Sequence, residues 1–150
     1  MKKILSVFVC FIVIFSVTGC FNKTKIDGKT FREKMEGKGF NVVETGDTDD
    51  SPEITYIAQD QNGRYQIEFY DIKSKDSAKE KFKSYKSGID NENTTNRKTS
   101  SVSTGNYEKY TLDNGKTYYL ASRIDNTMIF LSVDPEYKSD VNKIIKELGY

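Results

Sequence analysis

The chain has 150 residues, 36% of them hydrophobic and 30% charged, which fits one domain able to bury its own core. Its 23 basic and 22 acidic side chains nearly cancel, which excludes the basic footprint of a nucleic-acid-binding protein. Histidine is absent and cysteine occurs only at positions 10 and 20, so the usual general base, a disulfide framework and a cysteine metal site are all excluded; no cofactor or metal is expected.

Met1-Lys2-Lys3 is a short basic start, and residues 4–17 are apolar except for Ser6, Cys10 and Ser16. A helix crossing a ~30 Å hydrocarbon core needs about 20 apolar residues, so this run is short for a span and suits a signal h-region. It closes on Val17-Thr18-Gly19-Cys20, with small residues just before the cysteine. That ending resembles the lipobox of bacterial lipoproteins. Alanine is rare while Lys, Asn, Ile and Tyr are common, a bias similar to that of Gram-positive proteins from AT-rich genomes. The resemblance covers residues 1–20 alone. It implies that residues 1–19 are removed, that Cys20 is lipidated, and that acyl chains hold the protein to the outer face of the cell membrane. A plain secretory signal and a retained helix anchor are the alternatives. Without Lys2 and Lys3 the chain keeps 21 basic and 22 acidic side chains, a net charge of −1. Residues 20–29 read as the lipidated cysteine and a polar tether, and 30–150 as a single domain.

The first helix is expected to start at Thr30, where Thr30-x-x-Glu33 has capping-box spacing. Phe31 and Met35 share a face, Gly37 and Gly39 stop the helix, and Phe40, Val42 and Val43 suggest a short strand. Asp47, Asp49 and Asp50 supply hard oxygen ligands. An EF-hand loop counted from Asp47 needs glycine sixth and glutamate twelfth, where Pro52 and Ala58 stand. The run 44–53 therefore reads as a solvated acidic loop. Residues 54–59 and 64–70 flank Asn62-Gly63, a strong hairpin signal. A two-residue loop sets Tyr56 opposite Phe69 and Ala58 opposite Ile67, with Ile54 and Tyr65 on the same apolar face. The other face is mostly polar.

Ser74 caps a second helix whose stripe is Ala78, Phe82, Tyr85 and Ile89, with Gly88 as its expected stop. Lysines 75, 79, 81, 83 and 86 line its remaining surface; Asp76 and Glu80 interrupt them, so they read as a solvated face, with a basic membrane-facing helix as the alternative. Residues 90–101 contain no apolar side chain and read as a loop entering a weak strand near Val102. Thr104-Gly105-Asn106 is a turn, followed by strands at 107–112 and 117–124. Asp125-Asn126 turns the last hairpin, pairing Ile124 with Thr127, Ser122 with Ile129, Leu120 with Leu131 and Tyr118 with Val133. A two-residue loop at Asn114-Gly115 would set Tyr110 opposite Tyr119. A three-residue loop keeps Tyr110 and Leu112 on the buried face and is the preferred register. Asp134-Pro135 opens the last helix, with Tyr137, Val141, Ile144, Ile145 and Leu148 as its stripe and Gly149 as its end.

In that register Tyr107 faces Ala121, Lys109 faces Tyr119, Arg123 faces Met128, and Phe130 meets Ala121 from the other side. Tyr107, Lys109, Tyr119, Arg123, Met128 and Phe130 then gather on the non-core face, as a candidate binding face. Aromatic rings beside cations suit sugars, peptides or a protein partner. The alternative is that a helix or the 90–101 loop covers them. No nucleophile motif, carboxylate pair or phosphate loop is present.

The expected fold is α+β: an antiparallel sheet of about five to seven strands with two or three helices, mainly on one face. Residues 74–133 are similar in outline to cystatin-like and TATA-binding-protein-like folds, an analogy that carries no function. The functional expectation is a membrane-anchored extracytoplasmic binding module with a protein, peptide or cell-wall ligand. A small extracytoplasmic enzyme using carboxylates or tyrosines, and a regulatory or immunity-type inhibitor, stay open.

Overall fold

The structure, a computed structural model, describes residues 22–46, 53–92 and 96–150. The lipobox residues Val17, Thr18, Gly19 and Cys20, and the acidic run holding Asp47, Asp49 and Asp50, lie outside them. The described residues form α1 (Gly28–Glu36), β1 (Asn41–Thr45), β2 (Glu53–Gln59), β3 (Gln66–Ile72), α2 (Lys75–Asp90), β4 (Lys98–Thr104), β5 (Tyr107–Asp113), β6 (Tyr118–Ile124), β7 (Thr127–Val133), a 3₁₀ turn (Pro135–Tyr137) and α3 (Lys138–Glu147). The strands make one open antiparallel sheet in the order β1-β2-β3-β7-β6-β5-β4, which gives the expected α+β class. A helix followed by a four-strand meander is present in 75–133, but the sheet continues past β7 through β3, β2 and β1.

Both faces of the sheet are buried. On one, α1 and α3 press Phe31, Met35, Val141, Ile145 and Leu148 onto Ile67, Phe69, Leu120, Ile129 and Leu131. The Phe31 and Phe69 rings stack at 4.8 Å. On the other, α2 lays Ala78, Phe82 and Ile89 over Tyr70, Ile72, Tyr110, Leu112, Ala121 and Met128. Two helices thus share a face while the third covers the side expected to be polar. Tyr70 and Ile72 supply the apolar surface for that second layer.

The β2–β3 register is the expected one, Tyr56 opposite Phe69 and Ala58 opposite Ile67. Its tip is wider than two residues: the Asp60 N–H donates to the Tyr65 carbonyl, and the Asp60 carboxylate accepts from the Arg64 amide at 2.6 Å. The β6–β7 register also follows the expectation, with Asp125 taking φ 52° at the turn. Between β5 and β6 the register differs. Asp113 pairs with Tyr118, Leu112 with Tyr119 and Tyr110 with Ala121, leaving a four-residue loop. Asn114 is the cause. Its side-chain oxygen accepts from the amides of Lys116 and Thr117 at 2.9 and 2.8 Å, and this holds Thr117 in the turn and out of the strand. The pairing shifts by three residues, an odd number, so β5 presents opposite faces from those expected.

Three boundaries differ as well. Asp27, not Thr30, caps α1, its carboxylate accepting the Thr30 amide at 2.7 Å. The helix starts at Gly28, where a Cβ would lie 2.0 Å from Cε2 of Tyr56. The α2 helix runs through Gly88 to Asp90. Residues 98–104, expected to be mostly loop, form the full edge strand β4, exposed along its whole length. At the two helix ends read as glycine stops, Phe40 and Tyr150 donate their amides back to the Met35 and Ile145 carbonyls, both at 3.0 Å, and both side chains are buried.

The segment read as a tether is docked from Asn22 onward. Asn106 accepts the Lys23 amide at 2.9 Å and donates to the Lys23 carbonyl at 2.9 Å, and Ile26 packs against the core. Residues 22–29 therefore belong to the folded domain and not to a free tether.

Candidate functional site

The inverted β5 divides the six residues of the expected face. Tyr107 and Lys109 lie on the α1/α3 side of the sheet, opposite Ile124 and Ser122. Tyr107 is only 7% exposed, with the Lys23 ammonium 3.8 Å above its ring, and burial raises its pKa. Lys109 is half-buried; burial, then the charge of Lys23, lowers its pKa.

Tyr119, Arg123, Met128 and Phe130 lie together on the α2 side, but α2 covers part of the group. Met128 is fully buried, and Arg123 is 3% exposed. The Arg123 guanidinium donates from Nε and Nη2 to one oxygen of Glu108 at 2.8 and 2.6 Å, and from Nη1 to the Asp125 carbonyl at 2.8 Å. Arg123 is thus committed to holding β5 and the 125–126 turn.

Tyr119 and Phe130 remain half-exposed beside the C-terminal half of α2. With Tyr85, Gly88 and Ile89 they line an open cleft of about 380 Å³, whose rim carries Ser84 and Glu92. That volume is at the lower end of the range for small-molecule sites. The Tyr85 and Phe130 rings meet edge-on at 4.6 Å. Gly88 lines the same cleft, and a Cβ there would meet nothing within 4 Å.

The cleft is braced from below. Tyr70 donates its hydroxyl to Glu68 in a short hydrogen bond, so the 2.6 Å contact between the Tyr70 and Tyr85 hydroxyls has Tyr85 as donor. Gln66 donates to the other Glu68 oxygen at 3.0 Å. Burial, and then the bond to Glu68, push the Tyr70 pKa far above its ordinary value, so Tyr70 stays a protonated donor. Lys81 sits 4.2 Å from the centre of the Tyr70 ring and pairs with Glu53 at 2.7 Å. The result fixes the Tyr85 ring in one orientation and leaves its edge and the Phe130 and Tyr119 rings to a ligand.

Sequence reasoning missed Tyr70, Tyr85, Gly88 and Glu68 as parts of a site. Tyr85 was legible only as one member of an apolar stripe, and Gly88 only as a helix stop. The five lysines of α2 all form ion pairs: Lys75 with Asp125, Lys79 with Asp76, Lys81 with Glu53, Lys83 with Glu80 and Lys86 with Asp90. Among the described residues no group of three His, Cys, Asp or Glu side chains could hold a metal ion. No helix among them is long and apolar enough to cross a membrane. In comparisons with protein-family models, curated proteins and solved structures, nothing matches this chain.

Proposed function

We propose that the chain is a membrane-anchored extracytoplasmic lipoprotein, acylated at Cys20, whose domain binds a peptide or cell-wall saccharide in the Tyr85–Tyr119–Phe130 cleft. The observation that carries the binding reading is the cleft itself: three aromatic side chains around an open gap that Gly88 also lines. Aromatic faces give flat apolar area at small entropic cost, and the rim offers the Ser84 hydroxyl and Glu92 carboxylate for orientation. Glu68 is engaged by Tyr70 and Gln66, which suits it to holding Tyr85 in place more than to moving protons. The anchor reading rests on residues 1–20: a basic start, a short apolar run and Val17-Thr18-Gly19-Cys20.

Two experiments test these halves. Equilibrium binding of a panel of peptidoglycan fragments and short peptides to the purified protein should retain at least one ligand. A Tyr119→Ala/Phe130→Ala variant should lose it while melting cooperatively. Retention by that variant would sink the cleft as the site. Cys20→Ala should leave an unacylated precursor in intact-mass spectra; unchanged processing would point to an ordinary signal or a helix anchor.

The inhibitor reading is favoured by one separate observation. Edge strand β4 is exposed throughout, with Val102 43% accessible, and its outer backbone is open to an added strand of a partner protein.

A further inference from the structure

We infer that the end of the domain carrying residues 22–27 is its membrane-apposed surface, where Lys25, Lys73, Lys75 and Lys79 meet phospholipid headgroups, and that the aromatic cleft is thereby displayed away from the bilayer. This rests on the proposed acylation of Cys20.

The chain outside the described residues ends at a clamped point. Asn106, at the β4–β5 turn, holds Lys23 by two hydrogen bonds of 2.9 Å and also donates to Asp125 at 3.0 Å. The Lys25 ammonium donates to Asn126 at the β6–β7 turn at 2.5 Å, and that of Lys23 to the Gly149 carbonyl at 3.0 Å. Asn126 in turn joins the end of β3, accepting the Ile72 amide at 3.0 Å and donating to the Ile72 carbonyl at 2.6 Å. Two turns, the end of β3 and the chain terminus are therefore tied to residues 22–25. Two peptide units separate Cys20 from Asn22 and span about 7 Å at most. A domain clamped so close to its attachment cannot turn this end away from the membrane.

The surface has the chemistry for headgroup phosphates. Asn22, Lys75, Lys79 and Asn106 line a polar cleft of about 360 Å³ together with Arg123 and Asp125. Lys75 and Lys79 pair with Asp125 and Asp76 while their side chains stay 67% and 51% exposed. Lys25 and Lys73 are exposed and form no ion pair among the described residues, so their charge is available to an anionic surface. From Lys75 the α2 helix carries the chain thirteen residues to Gly88, a rise of about 20 Å. Tyr119 lies at the same far end, next to the start of β6.

Lysine footprinting tests this on the full chain without altering it. The protein is reconstituted into vesicles of phosphatidylglycerol and phosphatidylcholine, treated with a water-soluble acetylating reagent, and mapped by mass spectrometry before and after detergent release. Lys25, Lys73, Lys75 and Lys79 should react severalfold more slowly on vesicles, with Lys83, Lys98 and Lys116 unchanged. Asn106→Ala, which removes both of its bonds to Lys23, should lower that protection while the protein still co-sediments with vesicles. Uniform reactivity of co-sedimenting protein overturns the orientation and leaves attachment standing. Protein that fails to co-sediment overturns both.

Discussion

Gly88 lies in the last part of α2, and a Cβ there would touch nothing within 4 Å. Glycine inside a helix costs about 0.5–1 kcal/mol relative to alanine through the entropy of the unfolded chain. With no contact to disturb, Gly88→Ala should recover that amount. For roughly 130 residues, an unfolding entropy of about 2.1 cal/mol/K per residue totals about 0.27 kcal/mol/K, so the melting temperature should rise by about 2–4 °C. Gly88→Leu should keep most of the helix gain and fill the space between Tyr85, Tyr119 and Phe130, abolishing ligand binding in a protein that is no less stable. Thermal unfolding followed by circular dichroism at 222 nm, beside equilibrium binding, reads both effects. A lower melting temperature for Gly88→Ala would refute the open helical position. Wild-type binding by Gly88→Leu would refute the cleft that Gly88 lines as the ligand site.

Met128 is fully buried beneath α2, so Met128→Ala should destabilise by about 2–5 kcal/mol in chemical denaturation; a loss under about 0.5 kcal/mol would return it to the surface. Gly28→Val must displace the Tyr56 ring, since even a Cβ lies 2.0 Å from Cε2, and should cost about 1–3 kcal/mol by the same measurement. Hydrogen bonds from Lys86, then Tyr110, hold Asp90 below the usual carboxylate range; Lys138 does so first for Asp113, and Lys75 first for Asp125. A carboxylate whose folded pKa is depressed stabilises the fold above its unfolded value of about 3.9, and the gain disappears as pH falls through the folded pKa. Melting temperature should therefore drop below about pH 4, and Asp90→Asn should make that drop shallower; an unchanged slope would count against the Asp90 pairing.

The two hairpins whose pairing followed the sequence share a cause. In 54–70 the Asn62-Gly63 signal lies between strands whose alternation sets Tyr56, Ala58, Ile67 and Phe69 on one face, and in 118–133 the Asp125-Asn126 turn fixes the phase. The β5–β6 pairing was not legible for two physical reasons. Asn114 spends its side chain on the amides of Lys116 and Thr117, which adds residues to a loop that Asn-Gly alone would close. The β6 strand is buried on both faces, so apolar alternation carries no phase to correct the error. One odd shift then moved Tyr107 and Lys109 across the sheet and divided the expected face. Strand β4 was hidden because its exposed Ser and Thr side chains look like loop; β5 pairing alone makes it a strand. Of the site, Tyr119 and Phe130 were visible in the sequence. Tyr85 and Gly88 required knowing that α2 lies over β6 and β7.

The central claim is that this domain binds its ligand between α2 and the sheet. Amide and aromatic chemical-shift mapping of the protein, titrated with the saccharides or peptides retained in the binding panel, tests it most directly. Saturable shifts should cluster at residues 84–92, Tyr119 and Phe130 and vanish in Gly88→Leu. Shifts confined to β4, or to the end holding Lys23 and Asn106, would contradict it.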